Sequence, residues 1–140
     1  RDKTAAEVCD DGFFVSGDLA VMDQSGRVRI VGRDKDLVIS GGLNVYPREI
    51  EQAIDALPGV LESAVIGVPH ADLGEGLVAV ICAPAEMAPD EASVINALKI
   101  TLAGFKIPRR VFRVDALPRN TMGKVQKNVL RETYADAFTD

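Results

Sequence analysis

The reading turns on residues 32–51, Gly32-Arg33-Asp34-Lys35-Asp36-Leu37-Val38-Ile39-Ser40-Gly41-Gly42-Leu43-Asn44-Val45-Tyr46-Pro47-Arg48-Glu49-Ile50-Glu51. A charged step, 33–36, leads into the short apolar strand Leu37-Val38-Ile39, and the pair Gly41-Gly42 turns the chain. Pro47 opens a helix, as a first-turn proline can. Ile50, Ala53, Ile54 and Leu57 then recur at helical spacing until Pro58-Gly59 stops it.

Upstream, Phe13-Phe14-Val15 and Leu19-Ala20-Val21-Met22 face Val28-Arg29-Ile30-Val31 across a turn at Asp23-Gln24-Ser25-Gly26, the pattern of a hairpin. A two-stranded ribbon is too small to be stable alone. Downstream come two strands, 63–68 and 77–82, and a helix starting at Pro89-Asp90-Glu91 with an apolar face of Val94, Leu98, Thr101 and Leu102. A strand 110–114, a turn-rich loop from Pro118 to Gly123 and a last helix from about Gln126 to Ala137 follow. Strands and helices interleave, which predicts an α+β fold: a small mixed β-sheet with packed helices, preceded by a two-stranded β-ribbon. The natural boundary is the charged step at 33–36, with the ribbon upstream of it and enough material for a self-contained domain downstream.

Composition narrows the function. The 140 residues are 47% hydrophobic, enough for one domain with a real core, and no apolar run approaches a membrane span. The start at Arg1-Asp2-Lys3 shows no signal-peptide pattern and reads as a cut within a longer chain. Cys9 and Cys82 fit no metal or redox spacing and read as small buried or half-buried apolar residues in a reducing compartment. His70, the single histidine, reads as a loop residue without metal partners. A net charge of −5 argues against nucleic acid as the main partner. Yet from Gly104 to Arg131 eight basic residues (Lys106, Arg109, Arg110, Arg113, Arg119, Lys124, Lys127 and Arg131) face Asp115 alone, a net +7. Such a segment suits a phosphate-bearing small molecule, or is an ordinary solvated face.

Three segments, Ser16-Gly17-Asp18, the 32–51 stretch and Pro118-Arg119-Asn120-Thr121-Met122-Gly123-Lys124-Val125, occur in this order along the chain. In series they resemble late core motifs of the adenylate-forming superfamily of acyl-CoA synthetases, nonribosomal adenylation domains and luciferases. The resemblance covers essentially the whole chain. It implies a two-step reaction: a carboxylate attacks the α-phosphate of ATP to give acyl-AMP and pyrophosphate, and the CoA thiol then displaces AMP. It also implies that residues 1–34 end a large N-terminal adenylation domain, this chain's own partner, and that 35–140 form the mobile C-terminal lid.

The resemblance assigns roles residue by residue. Lys124 matches the catalytic lysine, and its compact ammonium suits a transition state that gathers charge around the α-phosphorus. Gly123 lets the loop backbone approach a ligand. Asp18 looks like the residue accepting from the ATP ribose hydroxyls, and Arg33 like the arginine beside it. Lys35 matches the hinge position, where a solvated side chain lets a torsion change without disturbing a core. Gly41 and Gly42 resemble the loop lining the pantetheine tunnel of CoA, and Arg109 a basic residue against CoA phosphate. Mg²⁺ is expected with ATP, its ligands outside this chain; no metal ligand is assigned within it.

Within the family, 66–76 and Pro118 to Glu132 look closest to malonyl-CoA synthetases, which implies malonate or methylmalonate as substrate. Carrier-protein adenylation domains share the lysine loop and are less similar. Other short-chain or aryl acyl-CoA ligases, and a non-catalytic nucleotide-, CoA- or partner-binding module, are the alternatives. The fragment alone is expected to be inactive. Lys124 is also expected to be open to a lysine acetyltransferase, since acetylation removes its charge. The expected location is cytoplasmic or another reducing compartment such as the mitochondrial matrix, with no membrane and no nucleic-acid partner.

Overall fold

The computed structural model describes residues 9–139. They form two compact units, the first running through Lys35 and the second beginning at Asp36.

The first unit carries the antiparallel ribbon of β1 (Asp18–Met22) and β2 (Val28–Arg33), with a bulge between Leu19 and Ala20. Asp23 makes its turn. The carboxylate accepts from the Ser25 and Arg27 amides and the Ser25 hydroxyl, and Gly26 supplies φ +83°. Phe13 and Val15, expected to extend the hairpin, precede the strands, which begin only at Asp18. Val21, Met22, Val28 and Ile30 are at least half exposed.

The second unit contains β3 (Val38–Ser40), β4 (Leu43–Val45), α1 (Pro47–Asp55), β5 (Glu62–His70), β6 (Gly74–Cys82), α2 (Glu91–Thr101), β7 (Arg110–Val114) and α3 (Lys127–Thr133). β5 and β6 are a nine-residue antiparallel pair from Glu62↔Cys82 to His70↔Gly74. The other edge of β6 takes β3 at Ser40↔Gly74 and β7, in parallel, from Val78↔Arg110 to Cys82↔Val114. A parallel neighbour needs a crossover, and α2 lies in it. The sheet is therefore mixed, as the interleaving predicts.

Both faces of the central pair are buried, which is why β5 and β6 read as continuous apolar runs rather than alternating ones. On one face Val65, Leu77, Ala79 and Ile81 pack with Ile50 and Ile54 of α1 and Val94 and Leu98 of α2. On the other, Ala64, Ile66, Val68, Val78 and Val80 pack with Leu117 and Leu130. At Gly67 an added Cβ would lie 2.7 Å from Val38 Cγ1 and 2.9 Å from Glu75 Oε1, so only glycine lets β3 lie so close.

Four local expectations are corrected. His70 ends β5 instead of lying in a loop, its ring 4.9 Å from that of Phe138. Thr101 is exposed, bonding back to the Leu98 carbonyl rather than joining the apolar face. Cys9 is exposed whereas Cys82 is buried. The last helix ends at Thr133, not Ala137, because the chain turns there to lay aromatic rings on the sheet. Tyr134 stacks on Phe112 at 4.5 Å, and Phe138 covers Gly76.

Candidate functional site

Lys124 stands on the loop between β7 and α3, closed by an antiparallel bridge between Arg119 and Val125. Gly123, at φ +81°, turns the backbone just before it. Thr121, Met122, Gly123 and Lys124 are all exposed, so no apolar packing holds the loop. Polar bonds do: Asn120 Oδ1 accepts from the Met122 amide at 3.0 Å and the Lys124 amide at 2.9 Å. The Asn120 amide donates to the Lys124 carbonyl at 2.9 Å. Arg119 Nη1 donates to the Gly123 carbonyl at 2.7 Å, while its Nη2 pairs with Glu62 at the start of β5.

The basic stretch around this loop is largely compensated. Six of its eight cations meet carboxylates: Lys106 with Glu49, Arg110 with Glu91, Arg113 with Asp115, Arg119 with Glu62, Lys127 with Glu51, Arg131 with Asp36. Among the described residues, Arg109 and Lys124 are the two left without an acidic side chain within 4.0 Å. Arg109 is exposed just before β7, its amide fixed to the Leu77 carbonyl at 2.9 Å.

Gly41 and Gly42 form the exposed β3–β4 turn at φ +58° and +80°. The Gly41 amide bonds to the Leu73 carbonyl at 2.9 Å, beside the His70↔Gly74 end of the central pair. The Lys124 loop, moored to Glu62, stands at the Glu62↔Cys82 end. Nine residues of strand separate them, roughly 27 Å at antiparallel rise. The structure thus does not gather these residues in one place; it sets them at opposite ends of one sheet.

The other residues of interest lie in the first unit. Asp18 and Arg33 face each other across the ribbon, with Arg33 Nε 3.2 Å from Asp18 Oδ1. Arg33 and Lys35 help line a hollow of about 240 Å³ with Val15, Ser16, Gly17 and Asp34. Lys35 is exposed in a single 3₁₀ turn, Asp34–Asp36. Among the described residues, no group of three His, Cys, Asp or Glu side chains is placed to hold a metal ion, and no helix is long and apolar enough to cross a membrane.

Asn120 and Glu62 are absent from the residues singled out in the sequence. Asn120 had a signal: an asparagine opening a turn commonly bonds the backbone amides ahead of it. Glu62 had none, because its partner Arg119 is 57 residues away.

The family model described as the AMP-binding enzyme C-terminal domain matches residues 49–124. A 3-[(3aS,4S,7aS)-7a-methyl-1,5-dioxo-octahydro-1H-inden-4-yl]propanoyl:CoA ligase of Mycobacterium tuberculosis is 49% identical over 131 residues, 94% of this chain and 26% of the relative. A long-chain-fatty-acid–CoA ligase of the same organism is 41% identical, over 96% of this chain and 27% of its own length. The crystal structure of ATP-bound MatB from Rhodopseudomonas palustris superposes with a TM-score of 0.88 and 61% identity, covering 99% of this chain and 27% of that one. The chain spans about a quarter of the length of the relatives it matches.

Proposed function

The chain belongs to the AMP-binding enzyme C-terminal domain family, and on that premise we propose that it serves an AMP-forming acid–CoA ligase acting on malonate or a methylmalonate-like diacid. The observation that carries the catalytic part is Lys124: an exposed ammonium with no acidic side chain within 4.0 Å among the described residues, on a loop closed by hydrogen bonds, with a glycine just before it. In the first half-reaction the carboxylate oxygen attacks the α-phosphorus and pyrophosphate leaves. The Lys124 ammonium donates to oxygens of both reactants, lowering their repulsion and favouring the more charged transition state.

Asp18 accepts from the ribose hydroxyls, held in place by Arg33, which also reaches the nucleotide. In the second half-reaction the CoA thiol attacks the acyl carbonyl and AMP departs. The side-chain-free turn at Gly41-Gly42 leaves width for pantetheine, and Arg109 offers its charge to a CoA phosphate. The separation of Lys124 from Gly41-Gly42 supports a reaction in which each end of this sheet serves one step, with Lys35 taking up the torsion between them. The partner is an N-terminal adenylation domain, which would supply the acyl pocket and the Mg²⁺ ligands.

The diacid rests on the likeness of residues 66–76 and 118–132 to malonyl-CoA synthetases. A reducing compartment, cytoplasm or matrix, fits two unpaired thiols. Acetylation of Lys124 would switch off the first half-reaction by removing its charge. The deciding experiment is CoA-thioester and AMP formation by the full-length enzyme, wild type against Lys124→Ala, with malonate, methylmalonate, acetate and benzoate. Malonate preference, with adenylation lost in the variant and thioester formation from supplied acyl-AMP retained, is expected. Preference for another acid discards the diacid, and an unaffected variant discards the role of Lys124. The fragment alone, given ATP and malonate, should release no AMP.

A further inference from the structure

Asn120 engages both main-chain polar groups of Lys124: its amide side chain takes the Lys124 N–H and its own N–H holds the Lys124 carbonyl. The same Oδ1 takes the Met122 amide, and the Asn120 carbonyl receives the Gly123 amide at 3.0 Å. Four hydrogen bonds from one residue therefore close the turn from 120 to 124. The side chains of that turn are solvent-facing, with Met122 78% exposed, so packing cannot substitute for these bonds. A small loop without them would sample many backbone states, each aiming Nζ elsewhere.

We propose that Asn120 is a positioning residue for adenylation, fixing the backbone of Lys124 so that its long side chain starts from one defined point. The proposal rests on Lys124 acting in the first half-reaction. Arg119 supports the same turn from outside, joining the Gly123 carbonyl to Glu62 on β5, one strand of the central nine-residue pair. Asparagine suits position 120 because its neutral amide oxygen accepts two N–H groups without adding a negative charge beside Lys124 and the triphosphate. An aspartate would keep the loop and oppose the nucleotide.

The test uses the full-length enzyme with Asn120→Ala, Asn120→Asp and Lys124→Ala, assayed for pyrophosphate exchange and, separately, for CoA-thioester formation from supplied acyl-AMP. Hydrogen exchange of the Met122 and Lys124 amides reports the loop directly. Asn120→Ala should lower kcat for adenylation roughly 10- to 100-fold, with KM for ATP little changed. Thioester formation should persist, and exchange at both amides should accelerate. Asn120→Asp should restore slow exchange, which a residue needed only for bulk folding would not show. Full adenylation by Asn120→Ala, or equal loss of both half-reactions, overturns the proposal while leaving Lys124 in its role. Full adenylation by Lys124→Ala removes that role and the proposal with it.

Discussion

Asp18 lies directly across the β1–β2 ribbon from Arg33, and the two side chains meet at 3.2 Å. They are 27% and 49% exposed, so the pair contributes less than about 1 kcal/mol to stability. Its consequence is orientation. Arg33→Ala and Asp18→Ala should each raise KM for ATP about tenfold while leaving the melting temperature nearly unchanged. Because Arg33 acts partly by holding Asp18, the double variant should cost less than the product of the single effects, which initial rates at varied ATP would show. Strictly multiplicative losses would mean that each contacts the nucleotide independently.

Gly42 tests the other end of the sheet. At φ +80° with nothing within 4 Å of its absent side chain, alanine there meets backbone strain of about 1–2 kcal/mol rather than a clash. Gly42→Ala should slow thioester formation and raise KM for CoA, with pyrophosphate exchange preserved. Lys124→Ala should do the reverse. A Gly42 variant that loses adenylation first would contradict the assignment of the two ends.

Gly67→Ala addresses the core. Its methyl would press on Val38 Cγ1 at 2.7 Å, inside a β3–β5 contact with no room to yield, and should destabilise by about 1–3 kcal/mol in urea unfolding. Gly76→Ala should also destabilise, because its methyl would run into the Phe138 ring, which packs on the core cluster and beside His70.

The N-cap of α2 gives a pH dependence with a fixed sign. The Ser93 amide, bonded to Asp90 Oδ1 at 2.7 Å, holds that carboxyl below its ordinary value of 3.8. A depressed native pKa means that the contribution is present above pH 3.8 and fades as the pH falls through the lower native value. Asp90→Ala should therefore be less stable than wild type at neutral pH, and the two melting temperatures should converge as the pH falls below the lowered native value of the Asp90 carboxyl. A gap that stays constant across that range would assign the effect to something other than the carboxylate.

Much of the fold was legible because its signals are local. Pro47 opening α1, Asp90 opening α2 and Gly26 in the ribbon turn each act within four residues, and the apolar runs of β5 and β6 announce a sheet covered on both faces. Strand β4 was missed because three residues between a glycine turn and a proline carry no period. The end of the last helix was misjudged because Tyr134 and Phe138 are drawn to the sheet by partners far away in sequence. At the candidate site, motif order singled out Lys124, Asp18 and Arg33 as candidates, but composition overstated the positive charge around Lys124. The compensating carboxylates Glu49, Glu51, Glu62, Glu91 and Asp36 come from other elements, joined only by folding.

That pairing has a consequence for how the domain sees its surroundings. A stretch of eight unpartnered cations would draw polyanions from a distance and lose its pull steeply as ionic strength rises. With Arg109 and Lys124 alone uncompensated among the described residues, attraction acts at short range, inside a Debye length of about 8 Å in physiological buffer. Affinity for nucleotide and CoA should then decline gently with added KCl, and the surface should hold nucleic acids poorly despite the density of lysine and arginine in its sequence.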